Sequence, residues 1–424
     1  MSKLTDRLRL LIETQAPTWQ HSFLGGALPA GATFTRASTA RYWDANGVQQ
    51  TAAANAARFD HDPATGAPRG YLAEVQCTNL CIWSDNIANW NNTNPVSVAT
   101  DGTLGPDGTT LMYKLTASAG AGNHWTVRSA SSPSSAGDNF SLSIIVKQGS
   151  TRYVGLGEAN DSVSHWATFD FQTGAWVGAG VNVTTEPPRQ LSGGRWRIGF
   201  KGTAASNTTL VMVVAPSNQG IGTASDAGYT AVGTESVYLT AGQIESGVYG
   251  ITSYIPTSAS AVTRAADVLS LPLTSLPGWD ATQGGVLVGA YRLYTKGPNG
   301  TTTGVMIDDP AENNLVGFEA MYGGGRQRIE FYSGGVPQNR TQGVTAPTPF
   351  VRRKLAMGWS TTRTQMAYDG VFDVGTNGAF ALPVAPTKLD IGHQIGAAQL
   401  CGALESIAFY KGARSDAFVQ AMSR

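Results

Sequence analysis

Through most of the chain, apolar and polar residues alternate in runs of about four to nine positions, each closed off by Gly, Asn, Ser or Pro. That period of two is the mark of half-buried strands joined by turns. Between Trp83 and Ile255 the runs fall at 110–115, 125–128, 140–147, 153–157, 165–170, 176–183, 196–203, 209–215 and 236–244. Such spacing predicts an antiparallel sandwich of the jelly-roll kind. The same pattern resumes at Val268 and continues through 285–294, 304–307, 315–322, 327–332, 352–360, 365–368, 371–374, 388–392 and 402–410, which predicts a second sandwich. Asn46-Gly47 and Asp369-Gly370 are hairpin signals, because both residues of each pair tolerate positive φ. Helical spacing is confined to the ends. Over 2–15, Leu4, Leu8, Leu11 and Ile12 share one face behind a Ser2 or Thr5 cap, and Ser415 caps a short helix ending at Met422.

The fold class expected is all-β: two consecutive antiparallel β-sandwiches, with a short N-terminal helix and a small β N-terminal region. The predicted units are an N-terminal helix or attachment segment over 1–26, a small β-hairpin region over 27–80, a jelly roll over 81–262 and the second sandwich over 263–424. Their border is the stretch Gln243 to Asp267. There Val248, Tyr249, Ile251, Tyr254 and Ile255 predict a strand that Pro256 ends by removing a backbone donor, and a polar connector leads to Val268.

Composition sharpens this picture. Charged residues are 14% of the 424, against roughly 25% in an average soluble protein, and 51 are Gly, in keeping with many turns and few exposed helices. Lys plus Arg balances Asp plus Glu at 29 each, so no global field favours nucleic acid or an anionic membrane. No apolar run approaches the roughly 18 residues of a membrane span, and the charged start lacks a signal-peptide core, so maturation in a cytoplasm is expected. Cys77, Cys81 and Cys401 show no zinc spacing and are expected as reduced core thiols.

Candidate chemistry is sparse. Asp60, His61 and Asp62 precede Pro63 in a turn-rich loop and are expected to build that turn. Sugar recognition by a β-sandwich needs aromatic faces flanked by polar groups. The middle unit offers His124 and Trp125, Tyr153 beside Arg152, and His165 and Trp166 with Asp161 in the loop before them. Adjacent strand residues face opposite sides, so one member of each His-Trp pair must leave the core. Tyr322, Tyr332 and Trp359 are weaker candidates in the last unit. Hydrolysis of a glycan needs two carboxylates across a cleft. Around Glu330 only one acid stands on its strand, while Glu158, Asp161 or Asp170 could pair with a distant partner. No catalytic residue, no metal and no cofactor is expected.

Two segments resemble a known family. PRGYLAEVQCTNLCIWSDNIANW (68–90) is similar to the PRG-L-x-E-x-x-x-TNL segment of bacteriophage tail-fibre and tail-spike virion proteins. QIESGVYGITSYIPTSASAVTRAAD (243–267) is similar to their TSYIPT…TR-x-AD segment. In that family the segments bracket a jelly roll similar to carbohydrate-binding modules, and a concanavalin A-like, laminin-G-type sandwich follows. The end of this chain, from Leu389 to Met422, resembles the end of that sandwich. Laminin-G-type sandwiches often hold Ca²⁺ by loop carboxylates, but Asp308-Asp309-Pro310 is expected to be a turn. The resemblance implies a non-enzymatic structural or receptor-binding virion protein, a homotrimer whose partners are other tail proteins and host surface polysaccharide. It implies no catalytic residue, and Arg69, Glu74, Asn79, Arg264 and Asp267 are expected to close the domain mouth. The alternatives are a virion-borne glycan depolymerase and a decoration protein that binds only other virion proteins.

Overall fold

The computed structural model describes residues 16–91, 94–161, 165–247, 250–295, 301–322, 325–344, 346–394 and 398–424, so the helix expected over 2–15 lies outside them. The chain is all-β, built from antiparallel sheets stacked as two sandwiches; among the described residues the one α-helix is Asp416–Met422.

One sandwich pairs an eight-stranded with a seven-stranded sheet. The first runs Val371–Asn377, Arg363–Tyr368, Arg352–Trp359, Gly285–Leu293, Gly402–Lys411, Pro68–Ala73, Phe59–His61, with Trp19–Ser22 also on Gly402–Lys411. The second runs Thr33–Thr35, Val268–Pro272, Lys388–Ile391, Thr302–Asp308, Leu315–Tyr322, Arg326–Ser333, Val336–Asn339. Alternate residues meet between them, Leu287, Tyr291 and Met357 against Ile307, Phe318 and Phe331. The closing helix lies on the outer side, with Phe418 and Val419 against Val286, Val288 and Ala367, and Ser415 Oγ accepts from Phe418 N at 3.2 Å as the sequence predicts.

The middle sandwich stacks a five-stranded sheet (Thr126–Ser129, Val211–Ser217, Tyr153–Glu158, His165–Asp170, Ala175–Ala179) on a seven-stranded one. The latter is built on Asn139–Gln148 between Arg195–Thr203 and Ser236–Ser246. Val154, Leu156, Phe169 and Val214 pack against Leu142, Ile144, Ile198 and Phe200.

Two expectations are corrected. Residues 27–80 do not form a small β-region apart: Thr33–Thr35 joins the seven-stranded sheet of the last sandwich, and Phe59–His61 with Pro68–Ala73 joins its eight-stranded sheet. The middle sandwich is thus inserted into a host that begins near residue 19 and resumes at Val268. The PRG motif has its reason here. Gly70 has φ +95°, and a Cβ on it would sit 2.2 Å from the Leu404 carbonyl oxygen of the neighbouring strand. Secondly, the border run does not form a strand over 250–255, and 248–249 lie outside the described residues. Side-chain acceptors replace the ladder: Thr252 N donates to Glu245, Ser253 N to Glu74 at 2.7 Å and Ile255 N to Gln243 at 2.8 Å.

The insertion joins its host through a short antiparallel neck, Cys77–Asn79 against Val262–Arg264. Beside the neck lies a buried ion cluster. Asp267 accepts from Arg36 at 3.0 Å, from Arg58 and from the Glu74 backbone N–H at 3.0 Å, while Glu74 pairs with Arg58 at 2.8 Å and with Arg264 at 3.3 Å. Burial alone would raise the Glu74 carboxyl, but the charges of Arg264 and Arg58 and the Ser253 hydrogen bonds outweigh it and hold Glu74 down at about 2. Asn79 uses its whole amide, donating to the Gly242 and Ile255 carbonyls and accepting from Cys81 and Ile244 N–H. Glu74, Asn79, Arg264 and Asp267 therefore lock the insertion to its host, as expected. Arg69 instead faces a cleft. All three cysteines are free and buried.

Candidate functional site

Two surfaces hold the candidate chemistry: the outer face of the five-stranded sheet, and the cleft between the sandwiches.

Alternation sorts the first. Val154, Leu156, Phe169 and Val214 point to the core, so Tyr153, Gly155, Gly157, Trp166, Val213 and Ala215 face outward. Of the predicted His165-Trp166 pair, His165 takes the core side, edge-on to Phe140 at 5.0 Å, and Trp166 takes the outer side. A Cβ on Gly155 or Gly157 would stand 2.1 or 2.3 Å from the Trp166 indole, so these glycines make its seat.

That outer face is itself covered. The segment around Ala224–Ala227 folds over it. Ala227 packs on Trp166, and Asp226 accepts from Thr168 Oγ1 at 2.5 Å and from Gly222 N at 2.7 Å. Trp166 is left 3% exposed.

The expected glycan contacts are corrected accordingly. His124 is buried between the Pro95 and Tyr229 carbonyls, at 2.9 and 3.1 Å. Asp161 and His165 contact each other at 3.1 Å with both side chains buried, and Asp161 also accepts from Ala205 N and Ser206 N. These groups serve the interior, because an acceptor inside a sandwich must be satisfied there. Trp125 and Tyr153 remain half-buried at the surface. Tyr153 lies 5.0 Å from the Arg152 guanidinium, which is bidentate on Asp170 at 3.0 and 2.7 Å.

In the last sandwich Trp359 is core and Tyr332 is half-buried beside Arg340; nothing is described of the Tyr322 side chain. Asp309 caps its own turn, accepting from Ala311 N at 2.9 Å, and Asp62 does the same for Ala64 N at 2.9 Å, as expected. Among the described residues no three His, Cys, Asp or Glu side chains are placed to hold a metal.

Carboxylates do gather on the outer face of the seven-stranded sheet of the last sandwich. Glu319 and Glu330 share Arg328, and Asp390 takes Lys388 at 2.6 Å and Ser270 at 2.6 Å. Asp308 is fully buried, neither of its oxygens makes a hydrogen bond, and Lys388 Nζ lies 3.4 Å away. Burial, then the charge of Asp390, push it up to about 8. An unfolded aspartate ionises near ~4, so the folded state keeps a proton that the unfolded chain has lost. Stability from this group is full below that value and is lost as pH rises toward about 8. Asp308→Asn is expected to gain at least about 1 kcal/mol relative to the parent between pH 5 and pH 9, read from urea melts at both pH values. Equal pH slopes in the two proteins would contradict it.

The cleft was missed by pattern reading. Arg189–Leu191 is a short edge strand on Arg195–Thr203 of the middle sandwich. It brings Arg189 against Tyr294 and Phe350 of the host. The two rings stack at 5.3 Å and 19°, and the guanidinium carbon lies 5.0 Å from each centroid. Phe350 holds φ 61°, a conformation that bulky residues rarely adopt. Outside this stack a cleft of about 220 Å³ opens, walled by Asp62, Arg69, Pro187, Pro188, Gln190 and Phe350. Beneath it, Arg197 donates to Ser143 while its Nε is buried without a partner. Burial, then the charge of Arg69, lower Arg189; burial, then the charge of Arg189, bring Arg197 down to about 10.

No family model and no curated protein matches the chain. Solved structures are similar in outline. The carbohydrate-binding module CBM40 of the Ruminococcus gnavus IT-sialidase, bound to α2,3-sialyllactose, is 11% identical over 34% of this chain and 84% of its own, with a TM-score of 0.30. Domain 4 of the Geobacillus stearothermophilus arabinanase AbnA, in complex with arabinotriose, is 15% identical over 41% and 82%, with a TM-score of 0.30. Mouse laminin α1 domains LG4-5 are 12% identical over 66% and 86%, with a TM-score of 0.24. With scores this low, the architecture rests on the strand pairing itself.

Proposed function

We propose that the protein is a non-enzymatic bacteriophage virion component, a tail-fibre or tail-tip protein that binds a host surface glycan and assembles as a homotrimer. The observation that carries this reading is that the residues bearing the resemblance do the structural work it implies. Gly70 sets the strand contact, and Glu74, Asn79, Arg264 and Asp267 lock the inserted sandwich to its host. Trp125, next to the edge strand Thr126–Ser129, and Tyr153, at the end of the central strand, supply half-buried aromatic surface for a sugar, with Arg152 to meet its hydroxyls. The acids support the non-enzymatic part: Glu319, Glu330, Asp161 and Asp170 are engaged by Arg side chains, His165 or backbone donors.

The test incubates the purified protein with capsule polysaccharide and lipopolysaccharide of candidate hosts. Binding without new reducing ends is expected, and Trp125→Ala or Tyr153→Ala should each weaken it about fivefold or more, the loss of roughly 1 kcal/mol of aromatic contact. Release of oligosaccharide would sink the non-enzymatic reading, and binding indifferent to both substitutions would remove this face from it.

A further inference from the structure

Most of the buried arginines in this chain have a carboxylate: Arg36 and Arg58 on Asp267, Arg264 on Glu74, Arg328 on Glu319. Arg189 has none. Its guanidinium makes no hydrogen bond or ion pair among the described residues, its Nη2 is fully buried, and its carbon lies over the faces of Tyr294 and Phe350. A guanidinium carries five N–H donors in a planar fork, and leaving them half-buried without an acceptor is costly.

The neighbourhood adds positive charge. Arg197 lies just below with its Nε unpartnered, and Arg69 lines the same cleft, its charge partly met by Asp62 at 2.6 Å. Of the other acids nearby, Asp60 accepts from Tyr294 Oη, Glu74 pairs with Arg58 and Arg264, and Glu186 accepts from Lys201, so Arg189 feels the charges of Asp60 and Glu74 without a hydrogen bond to either. The site is also pre-shaped. Ring stacking fixes the plane of the guanidinium, Pro187 and Pro188 stiffen one wall, and Phe350 is held in its unusual backbone conformation by Phe350 N donating to the Leu293 carbonyl at 2.7 Å.

We propose that the cleft between the two sandwiches binds the carboxylate of an acidic sugar, with Arg189 as the anchoring cation. This deepens the glycan-binding reading and rests on it. Nη2 belongs to both bidentate edges of the guanidinium and is buried, so the carboxylate is met by a single charge-assisted N–H on the open side. Phe350 and the two prolines offer apolar surface to a pyranose ring, and Gln190 and Asp62 line the same cleft as polar groups for its hydroxyls. At about 220 Å³ the cleft has room for a single sugar ring, the acidic unit of a longer chain that continues into solvent.

The experiment titrates the whole protein with D-glucuronate, N-acetylneuraminate, D-glucose and inorganic phosphate at constant ionic strength, by calorimetry. Both sugar acids should bind, glucose should not, and phosphate should bind at least tenfold more weakly. Arg189→Ala should raise the Kd for the sugar acids at least tenfold. Arg189→Lys, which keeps the charge but not the planar stack on Tyr294 and Phe350, should recover only part of that loss. Phe350→Ala should weaken the sugar acids and leave phosphate unchanged. Absence of sugar-acid binding by the parent protein, binding that Arg189→Ala and Arg189→Lys leave intact, or phosphate binding as tightly as the sugar acids would each overturn the proposal. Trp125-dependent binding of neutral glycan alone would overturn it while the broader glycan reading stands.

Discussion

Asp267→Asn should destabilise the protein by about 3–5 kcal/mol, the range for removing one partner of a buried ion pair. Asp267 is completely buried and accepts from Arg36, Arg58 and the Glu74 backbone N–H. Loss of its charge leaves Arg36 with carbonyl acceptors at Ser38 and Ala53 but no counter-charge, and Arg58 with Glu74 as its one counter-charge beside the Arg41 carbonyl and Ser253 Oγ. The cost is desolvation that nothing offsets. An exposed pair provides the control: with Asp280 3.8 Å from Lys411, Asp280→Asn should leave stability nearly unchanged. Urea melts of the two variants make the comparison, and equal losses would mean that the cluster is not what ties insertion to host. Glu74 predicts how far the cluster survives in acid. Its folded value is depressed to about 2, so its contribution is full above the unfolded value near ~4.3 and is lost as pH falls from there toward 2.

Trp166→Ala is expected to cost about 3–5 kcal/mol and lower the melting temperature by roughly 10 °C, as for a large core side chain. The indole is 3% exposed, seated on Gly155 and Gly157 and covered by Ala227, and its Nε1 donates to Thr168 Oγ1 at 3.1 Å. A ligand platform would behave in the opposite way, with an unchanged melt and lost glycan binding. Thermal melts alongside the glycan assay separate the two roles, and an unchanged melting temperature would mean that Trp166 is free for ligand.

Much of this architecture could be read from local pattern because local pattern is what makes it. Period-two alternation placed the strands, Asp369-Gly370 closes its hairpin with φ 49° and 79°, and Ser415 caps its helix. Strand partners could not be read in the same way. Alternation says which face of Thr33–Thr35 is apolar, but its neighbour Val268–Pro272 lies more than two hundred residues on, beyond the reach of any local signal. The border run was misjudged because Glu74, Gln243 and Glu245 satisfy its backbone, and an acceptor distant in sequence leaves no periodic trace. For the site, alternation requires one of His165 and Trp166 to leave the core but does not say which, and the structure turns Trp166 outward. Alternation could not foresee that the segment around Ala224–Ala227 would cover the same face. Arg189 follows Pro187-Pro188 between the strands expected at 176–183 and 196–203, and lack of a counter-ion is a property of the folded surroundings alone.

The interrupted host sandwich bears on how load passes through the molecule. Trp19–Ser22 and Gly402–Lys411 lie side by side as antiparallel partners, Trp19 opposite Phe409. Tension applied at the two ends of the described chain is taken up by that pair and its sheet, while the inserted sandwich hangs from both strands of its own neck, off the line of force. The unit that carries Trp125 and Tyr153 can thus stay folded while the host sandwich is being pulled.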